Sequence, residues 1–267
     1  MKFTSYVPQA AQHTLVYGAP KTGKTELVGR LAKGRKLRIF DLEKGVNTLL
    51  KLPTAYHENI ELVQVSDSRT TPIAVETMLK VCTGNRVKIC DVHGRVNCVA
   101  CTKLAAEVTW TEVCLSEDEP GIINVLDSAT QLSNSVMALI CKSQPDDYQP
   151  TYHDYRYQGA VLDRIFGNIQ NSKQDWIVIS HEVMVTLQDG TEKLVPVGGT
   201  SNFSRTFAKY FDHVIYTEVK AKQHKMGSST TYALNVLTGS RSNLAVEKDG
   251  IEGLEALYPP LTNTIAK

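Results

Sequence analysis

The sequence predicts an α/β fold in which helices flank a mostly parallel central sheet, with an antiparallel extension near the C-terminus. First, a short apolar run at 13–17 is followed by a glycine-rich loop and then by apolar residues at helical spacing. Second, apolar runs at 38–43 and 121–128 end in acids, as do the buried strands of open α/β sheets beside a site. Third, alternating runs at 183–195 and after residue 210 predict hairpins.

Length and composition limit the class of protein. The 267 residues suffice for a single domain over 1–267 with a substantial core. Lysine and arginine number 29 against 28 acids, so no overall basic field indicates nucleic acid, and a site for DNA would have to be local. No signal peptide or membrane-length apolar run is seen, so we expect a cytoplasmic protein. Reduced thiols are typical there, so clustered cysteines indicate metal ligands rather than disulfides.

The loop after the first run predicts a nucleotide site. It matches G-x-x-x-x-G-K-[ST] at every fixed position. Its residues are Gly18, Ala19, Pro20, Lys21, Thr22, Gly23, Lys24 and Thr25. Such a loop points backbone N–H groups at phosphate oxygens. Lys24 would add a charge for the β- and γ-phosphates, and Thr25 a hydroxyl for Mg²⁺.

Polar residues at the ends of later strands are candidate partners of this loop. Asp127 ends the run at 121–128 and is the predicted Mg²⁺ carboxylate opposite Thr25. Glu43 is a candidate general base for the attacking water, with Asp41 beside it. His181 ends a fourth buried run, 175–182, where a side chain can sense the γ-phosphate, although a packed histidine is the alternative.

A cysteine-rich segment, 82–114, is predicted to be an inserted zinc module. The candidate ligands are Cys90, His93, Cys98 and Cys101, with Cys82 as an alternative. Two-residue spacers let one turn present two ligands to tetrahedral Zn²⁺. The runs 87–90 and 95–98 alternate like a small hairpin around Gly94. Scattered structural cysteines are the competing interpretation, and Cys114 and Cys141 are expected to be buried hydrophobes.

Two segments could contact nucleic acid. A predicted loop at 144–157 is rich in tyrosine, and its members are Tyr148, Tyr152, Tyr155 and Tyr157, with His153 and Arg156 among them. These residue types suit stacking on single-stranded bases or a subunit interface. The glycine- and hydroxyl-rich segment 196–205, expected to be a mobile loop, could grip a DNA backbone through amides, hydroxyls and Arg205, or be an idle connection.

The C-terminal part of the chain offers weaker candidates. Lys220, Lys222, His224 and Lys225 would lie at a hairpin tip, either as phosphate contacts or as a solvated turn. Arg241 follows the last predicted strand and could reach a neighbouring subunit's γ-phosphate as an arginine finger. The tail around Pro259 and Pro260 is expected to be poorly structured.

In this order, the motifs resemble the RecA-like P-loop ATPases, and most closely the phage Sak-type single-strand annealing or recombination proteins. The resemblance spans roughly 10–245 and depends mainly on the phosphate loop. It implies ATP and Mg²⁺ as cofactors and places the catalytic glutamate after the second strand, at Glu43. It also implies single-stranded DNA binding and ring or filament assembly in the cytoplasm of an infected bacterium. The cysteine-rich insertion departs from the family pattern.

We therefore expect an ATPase, with DNA-stimulated hydrolysis, that binds single-stranded DNA in phage recombination, annealing or replication, and whose partners could include a phage single-strand-binding protein. The alternative is a nucleotide-dependent loader or scaffold that binds a replication protein, with the tyrosine-rich segment as its interface.

Overall fold

The computed structural model describes residues 11–104, 108–187, 189–224, 227–237 and 251–261. The strands are β1 (His13–Gly18), β2 (Leu37–Asp41), β3 (Ile60–Gln64), β4 (Val87–Cys90), β5 (Trp110–Val113), β6 (Ile123–Asp127), β7 (Asp175–Thr186), β8 (Glu192–Pro196), β9 (His213–His224) and β10 (Gly227–Leu237). The α-helices are α1 (Lys24–Gly29), α2 (Thr54–His57), α3 (Ile73–Val81), α4 (Val99–Thr102), α5 (Ala129–Ile140), α6 (Tyr152–Gln170), α7 (Ser201–Thr206) and α8 (Ile251–Leu257). Three 3-10 helices within the described ranges cover Arg30–Lys33, Val46–Lys51 and Phe207–Tyr210.

The main sheet has the strand order β10-β9-β1-β7-β6-β2-β3. The strands from β9 to β3 in this order run parallel, whereas β10 is antiparallel to β9 and β8 is antiparallel to the end of β7. Every residue of β1, β2 and β6 is buried, as expected of parallel strands covered on both faces. The predicted mostly parallel sheet with flanking helices and an antiparallel extension is thus confirmed.

Each face of the sheet packs against its own set of helices. Leu15 and Tyr17 join the cluster that receives α3, α5 and α6. Val16 points to the other face and joins the cluster that receives α1. Because the strands are parallel, their carboxyl ends meet at one edge, where Gly18 lies opposite His181 and Asp41 opposite Asp127. The fold therefore gathers the predicted nucleotide residues along this edge.

Two segments predicted as loops contain helices. Helix α6 begins at Tyr152, inside the predicted loop 144–157, because Thr151 and Asp154 form a reciprocal capping box that satisfies the first amides. The tyrosines at 152, 155 and 157 therefore lie on a helix. In the segment 196–205, α7 begins after Thr200, whose hydroxyl accepts a hydrogen bond from the Phe203 amide.

The cysteine-rich segment differs from the predicted hairpin. Strand β4 pairs with β5, which sequence reasoning missed, along four residue pairs from Val87↔Val113 to Cys90↔Trp110. The expected partner, 95–98, contributes one bridge between Ile89 and Val96, flanked by two backbone hydrogen bonds. The Asn97 amide donates to the Lys88 carbonyl and the Cys90 amide donates to the Arg95 carbonyl. A nonlocal strand therefore completes this small sheet.

The expectation of a poorly structured tail is wrong for the part that the structure describes. Helix α8 and the residues after it pack on the sheet, with Leu254 and Tyr258 buried. The Tyr258 hydroxyl donates to Thr14 Oγ1 at 2.8 Å. Arg241 and Lys225 lie outside the described residues, so their predicted roles stay predictions. Among the helices described, none is both long and apolar enough to cross a membrane.

Candidate nucleotide site

The phosphate loop begins where β1 ends and is shaped by two glycines. A Cβ added to Gly18 would lie 2.4 Å from the carbonyl oxygen of Thr217 and 2.5 Å from its hydroxyl oxygen. Gly23 adopts φ +83°, in the left-handed region that favours glycine. Glycine is therefore needed at both positions: at Gly18 because a side chain would have no space, and at Gly23 because of its backbone conformation.

Thr217 on β9 holds the loop and was missed by sequence reasoning. The Thr22 hydroxyl lies 2.9 Å both from the Ala19 carbonyl oxygen and from the Thr217 hydroxyl. Thr217 can in turn donate to the carbonyl of Tyr17 at 3.1 Å. The pairing of β9 with β1 creates these contacts, and no local pattern around residue 217 indicates that pairing.

Lys24 lies across the loop with its ammonium group largely buried. Its Nζ donates to the carbonyl oxygens of Gly18 at 2.9 Å and Ala19 at 2.7 Å. Burial lowers the pKa of Lys24, while the negative charges of Asp127 and Glu43 oppose that shift. An ammonium group has three protons, so one remains for a phosphate oxygen of a nucleotide while both carbonyl contacts are kept.

Thr25 and Asp127, the two predicted magnesium ligands, are in direct contact. The Thr25 hydroxyl donates to Asp127 Oδ2 at 2.6 Å. Burial raises the pKa of Asp127 to about 6; the Thr25 hydrogen bond opposes this shift, and the nearby acids Glu43 and Asp41 add to it. Hydroxyl and carboxylate oxygens are ligands that Mg²⁺ prefers, so this pair fits the ion and its charge would favour the ionised carboxylate.

Glu43 lies two residues beyond β2 and is oriented by two side chains. Its Oε1 accepts a hydrogen bond from the Ser128 hydroxyl, and its Oε2 lies 3.3 Å from His181 Nε2. Burial raises the pKa of Glu43, but the hydrogen bonds from His181 and Ser128 outweigh burial, so the pKa lies below its ordinary value. Glu43 is therefore an oriented carboxylate at neutral pH, as a group that binds and polarises water must be.

The structure also gathers three cysteines and a histidine. One ligand atom from each of Cys90, His93, Cys98 and Cys101 lies within 4.8 Å of all the others. His93 Nδ1 is 3.2, 3.6 and 3.9 Å from the sulfurs of Cys101, Cys98 and Cys90, respectively. A tetrahedral zinc ion with typical bond lengths would separate nitrogen from sulfur by roughly 3.6 Å. These four side chains can hold a metal ion.

Cys82 does not belong to this group. It follows α3 in the main core cluster, and burial raises the pKa of its thiol to about 12. The three cysteines of the metal group instead form a separate buried cluster with Val108 and Trp110 packed against it. The alternative in which Cys82 replaces one of the four ligands is therefore not supported.

A family model described as an AAA domain matches residues 10–242. The chain belongs to this family of P-loop ATPases. Membership confirms the prediction that the protein is an ATPase, while the roles of individual residues in this AAA domain stay predictions. No curated protein matches the sequence.

The structure is also similar to a solved prototypical ATPase from the type III secretion system of pathogenic bacteria. The sequence identity is 14% and the TM-score 0.44, and the match covers 78% of this chain and 52% of the other. The chain thus spans about half the length of that protein.

Replacing Lys24 with alanine tests the nucleotide site. Hydrogen bonds from a charged group contribute about 1.5–3 kcal/mol each. Losing the predicted contacts of Lys24 with the β- and γ-phosphates should therefore raise the Kd for ATP by roughly 10²-fold or more. Titration with a fluorescent ATP analogue measures this effect. Lys33→Ala, at an exposed site on the 3-10 helix that continues α1, is the control and should bind normally. Undiminished binding by a folded Lys24→Ala protein would contradict the assignment.

Proposed function

We propose that this AAA domain couples ATP hydrolysis to the binding of single-stranded DNA in phage recombination, annealing or replication. In this proposal Thr25 and Asp127 hold Mg²⁺, which neutralises charge on the phosphates, and Glu43 orients the attacking water. The observation that carries the proposal is the Glu43 carboxylate, held by Ser128 and His181 at the edge that also bears the phosphate loop.

A short series of contacts joins Glu43 to a second surface. His181, which contacts Glu43 through its ring, accepts a backbone hydrogen bond from the Val197 amide at 2.8 Å. The Ser180 hydroxyl also donates to the Val197 carbonyl at 2.8 Å. Val197 begins the glycine-rich segment that leads into α7. A change at the γ-phosphate that moves His181 would therefore reach this segment directly.

That segment and α6 line one groove. The α6 wall has residues at helical spacing, namely Tyr152, Tyr155, Arg156 and Gly159, and the other wall comprises 199–203. The walls are in close contact, because a Cβ on Gly199 would lie 2.9 Å from Leu162 on α6. Among the described residues that line the groove, none is acidic. Exposed aromatic rings, a guanidinium and hydroxyls, with no acids among them, suit single-stranded DNA, because its bases can stack on the rings and its phosphates are negatively charged.

Assembly into a ring or filament is part of the proposal, as the RecA-like and Sak-type resemblance implies. In such an assembly Arg241 would complete a neighbouring subunit's site, as an arginine finger does. The second candidate function, a loader or scaffold for a replication protein, is favoured by the same exposed tyrosines, since such rings also suit protein interfaces.

Glu43→Gln tests the proposed role in hydrolysis. The amide keeps the shape of the side chain but cannot accept a proton from water, and general bases contribute about 10²–10⁴-fold to rates. We expect ATP turnover to fall within that range while ATP still binds, as measured by phosphate release and equilibrium titration. The exposed Glu58→Gln variant serves as control. Full turnover by Glu43→Gln would remove Glu43 from the reaction.

The groove is tested by comparing tyrosines on one helix. Tyr152→Ala and Tyr155→Ala should each weaken binding to an oligo(dT) strand by about 1–3 kcal/mol, because each ring would lose a stacked base. Tyr157→Ala is the matched control, since Tyr157 is 57% exposed, between the values of 79% and 44% for the other two, but lies outside the groove lining.

Measuring ATP turnover with and without oligo(dT) distinguishes the two proposed functions. Stimulation by the strand, lost in the groove variants and retained in Tyr157→Ala, supports DNA coupling. No stimulation together with no ATP-dependent strand binding favours the loader.

We further propose that the group of Cys90, His93, Cys98 and Cys101 binds structural Zn²⁺, because sulfur and imidazole ligands at these distances suit that ion. Metal analysis of freshly prepared, reduced protein should find about one zinc per chain. Cys98→Ser should lose the metal, whereas Cys141→Ser, which lies outside the group, should retain it. Zinc-free wild-type protein, or zinc retained at full occupancy in Cys98→Ser, would contradict the assignment.

A further inference from the structure

The turn that carries Glu43 is held from the carboxyl end of β3. The Val65 amide, just beyond β3, donates to the Asp41 carbonyl at 3.0 Å. The Asp41 carboxylate accepts a hydrogen bond from the Gly45 amide at 3.1 Å. Glu43 lies between these two anchored residues. The end of β3 is therefore one anchor of this turn, together with the hydrogen bond from the Leu42 amide to the Asp127 carbonyl on β6.

Residues of the metal-binding segment contact the same end of β3. The Ser66 amide donates to the His93 carbonyl at 3.0 Å. Gly94 fits so closely that an added Cβ would lie 2.2 Å from the Gln64 carbonyl oxygen and 2.6 Å from Val65 Cα. The hydroxyl of Thr77, on α3, donates to the Gly94 carbonyl at 2.8 Å and holds this turn in place.

The turn formed by His93 and Gly94 has little room to move independently of the end of β3. Val65, Ile89 and Val96 are all buried in one core cluster, so the end of β3 and the residues around the metal group share their packing. Protein interiors are close-packed and transmit small displacements. By contrast, the hydrogen bonds of Thr22 and Lys24 go to loop carbonyls and Thr217.

We infer that the turn formed by His93 and Gly94 positions Glu43, so that metal at the Cys90, His93, Cys98 and Cys101 group supports ATP turnover without contributing to ATP binding. His93 is both a candidate ligand, through Nδ1, and a backbone contact of β3, through its carbonyl. Fixing the imidazole therefore fixes the carbonyl that Ser66 binds. His93 and Gly94 are positioning residues, and the inference rests on the proposed role of Glu43.

Two glycines of similar conformation provide the test. Gly94 has φ +66° and Gly84 has φ +78°, so alanine strains the backbone at both. A Cβ on Gly84 would meet nothing within 4 Å, whereas one on Gly94 would collide with β3. Displacements of about 1 Å in an active site can cost 10²-fold in rate. Gly94→Ala should thus lower kcat by about that factor, with the Kd for ATP and the zinc content unchanged, and Gly84→Ala should keep wild-type kcat.

Two further measurements keep the test decisive. If Gly94→Ala does not fold, Thr77→Val removes the hydrogen bond to Gly94 without adding a clash and should lower kcat with unchanged Kd. Metal-stripped wild-type protein should lose turnover, retain ATP binding, and recover turnover on addition of Zn²⁺. Wild-type kcat in Gly94→Ala, or equal loss of ATP binding and turnover, would overturn this inference but leave the proposed function standing. Full turnover in Glu43→Gln would overturn the proposed function and, with it, this inference.

Discussion

The parallel register of the central strands is the constraint on which the rest of the structure depends. The pairs Gly18↔His181 and Asp41↔Asp127 place the ends of four strands side by side. Because side chains alternate between the faces of a strand, a shift of one residue in either pairing would turn His181 or Asp127 away from the site. The burial of β1, β2 and β6 on both faces secures this register, since a shift would also misplace their apolar side chains.

Charge compensation within the site follows from that register. Lys24 and Asp127 are each more than nine-tenths buried, and each charge favours the ionised form of the other. The two carboxylates differ in environment. Burial raises the pKa of Asp127, whereas at Glu43 burial is outweighed by the hydrogen bonds from His181 and Ser128 together with the nearby positive charges of His181 and Lys24, so its pKa is lowered. Environments that separate pKa values in this way commonly accompany distinct roles, here metal binding and water activation.

The predictability of each element depended on whether its determinants are local. The phosphate loop is encoded by fixed spacing, and strand ends such as Asp127 follow from apolar runs that terminate in acids. The start of α6 was also encoded locally, because Thr151 and Asp154 have capping-box spacing, but the prolines and tyrosines around them suggested a loop. The partner of β4 and the contact of Thr217 with the phosphate loop depend on strand pairing across long separations, which no local pattern reveals.

The continuity of β7 has a mechanical consequence. Its first part, through Ile179, lies between β1 and β6, and Ser180 and His181 still pair with β1. Glu182 to Thr186 pair only with β8 among the pairings described. The twelve residues of β7 form one unbroken strand. An extended strand resists bending more than a flexible connection does. A displacement of His181 would therefore be passed along the same strand to the residues that pair with β8.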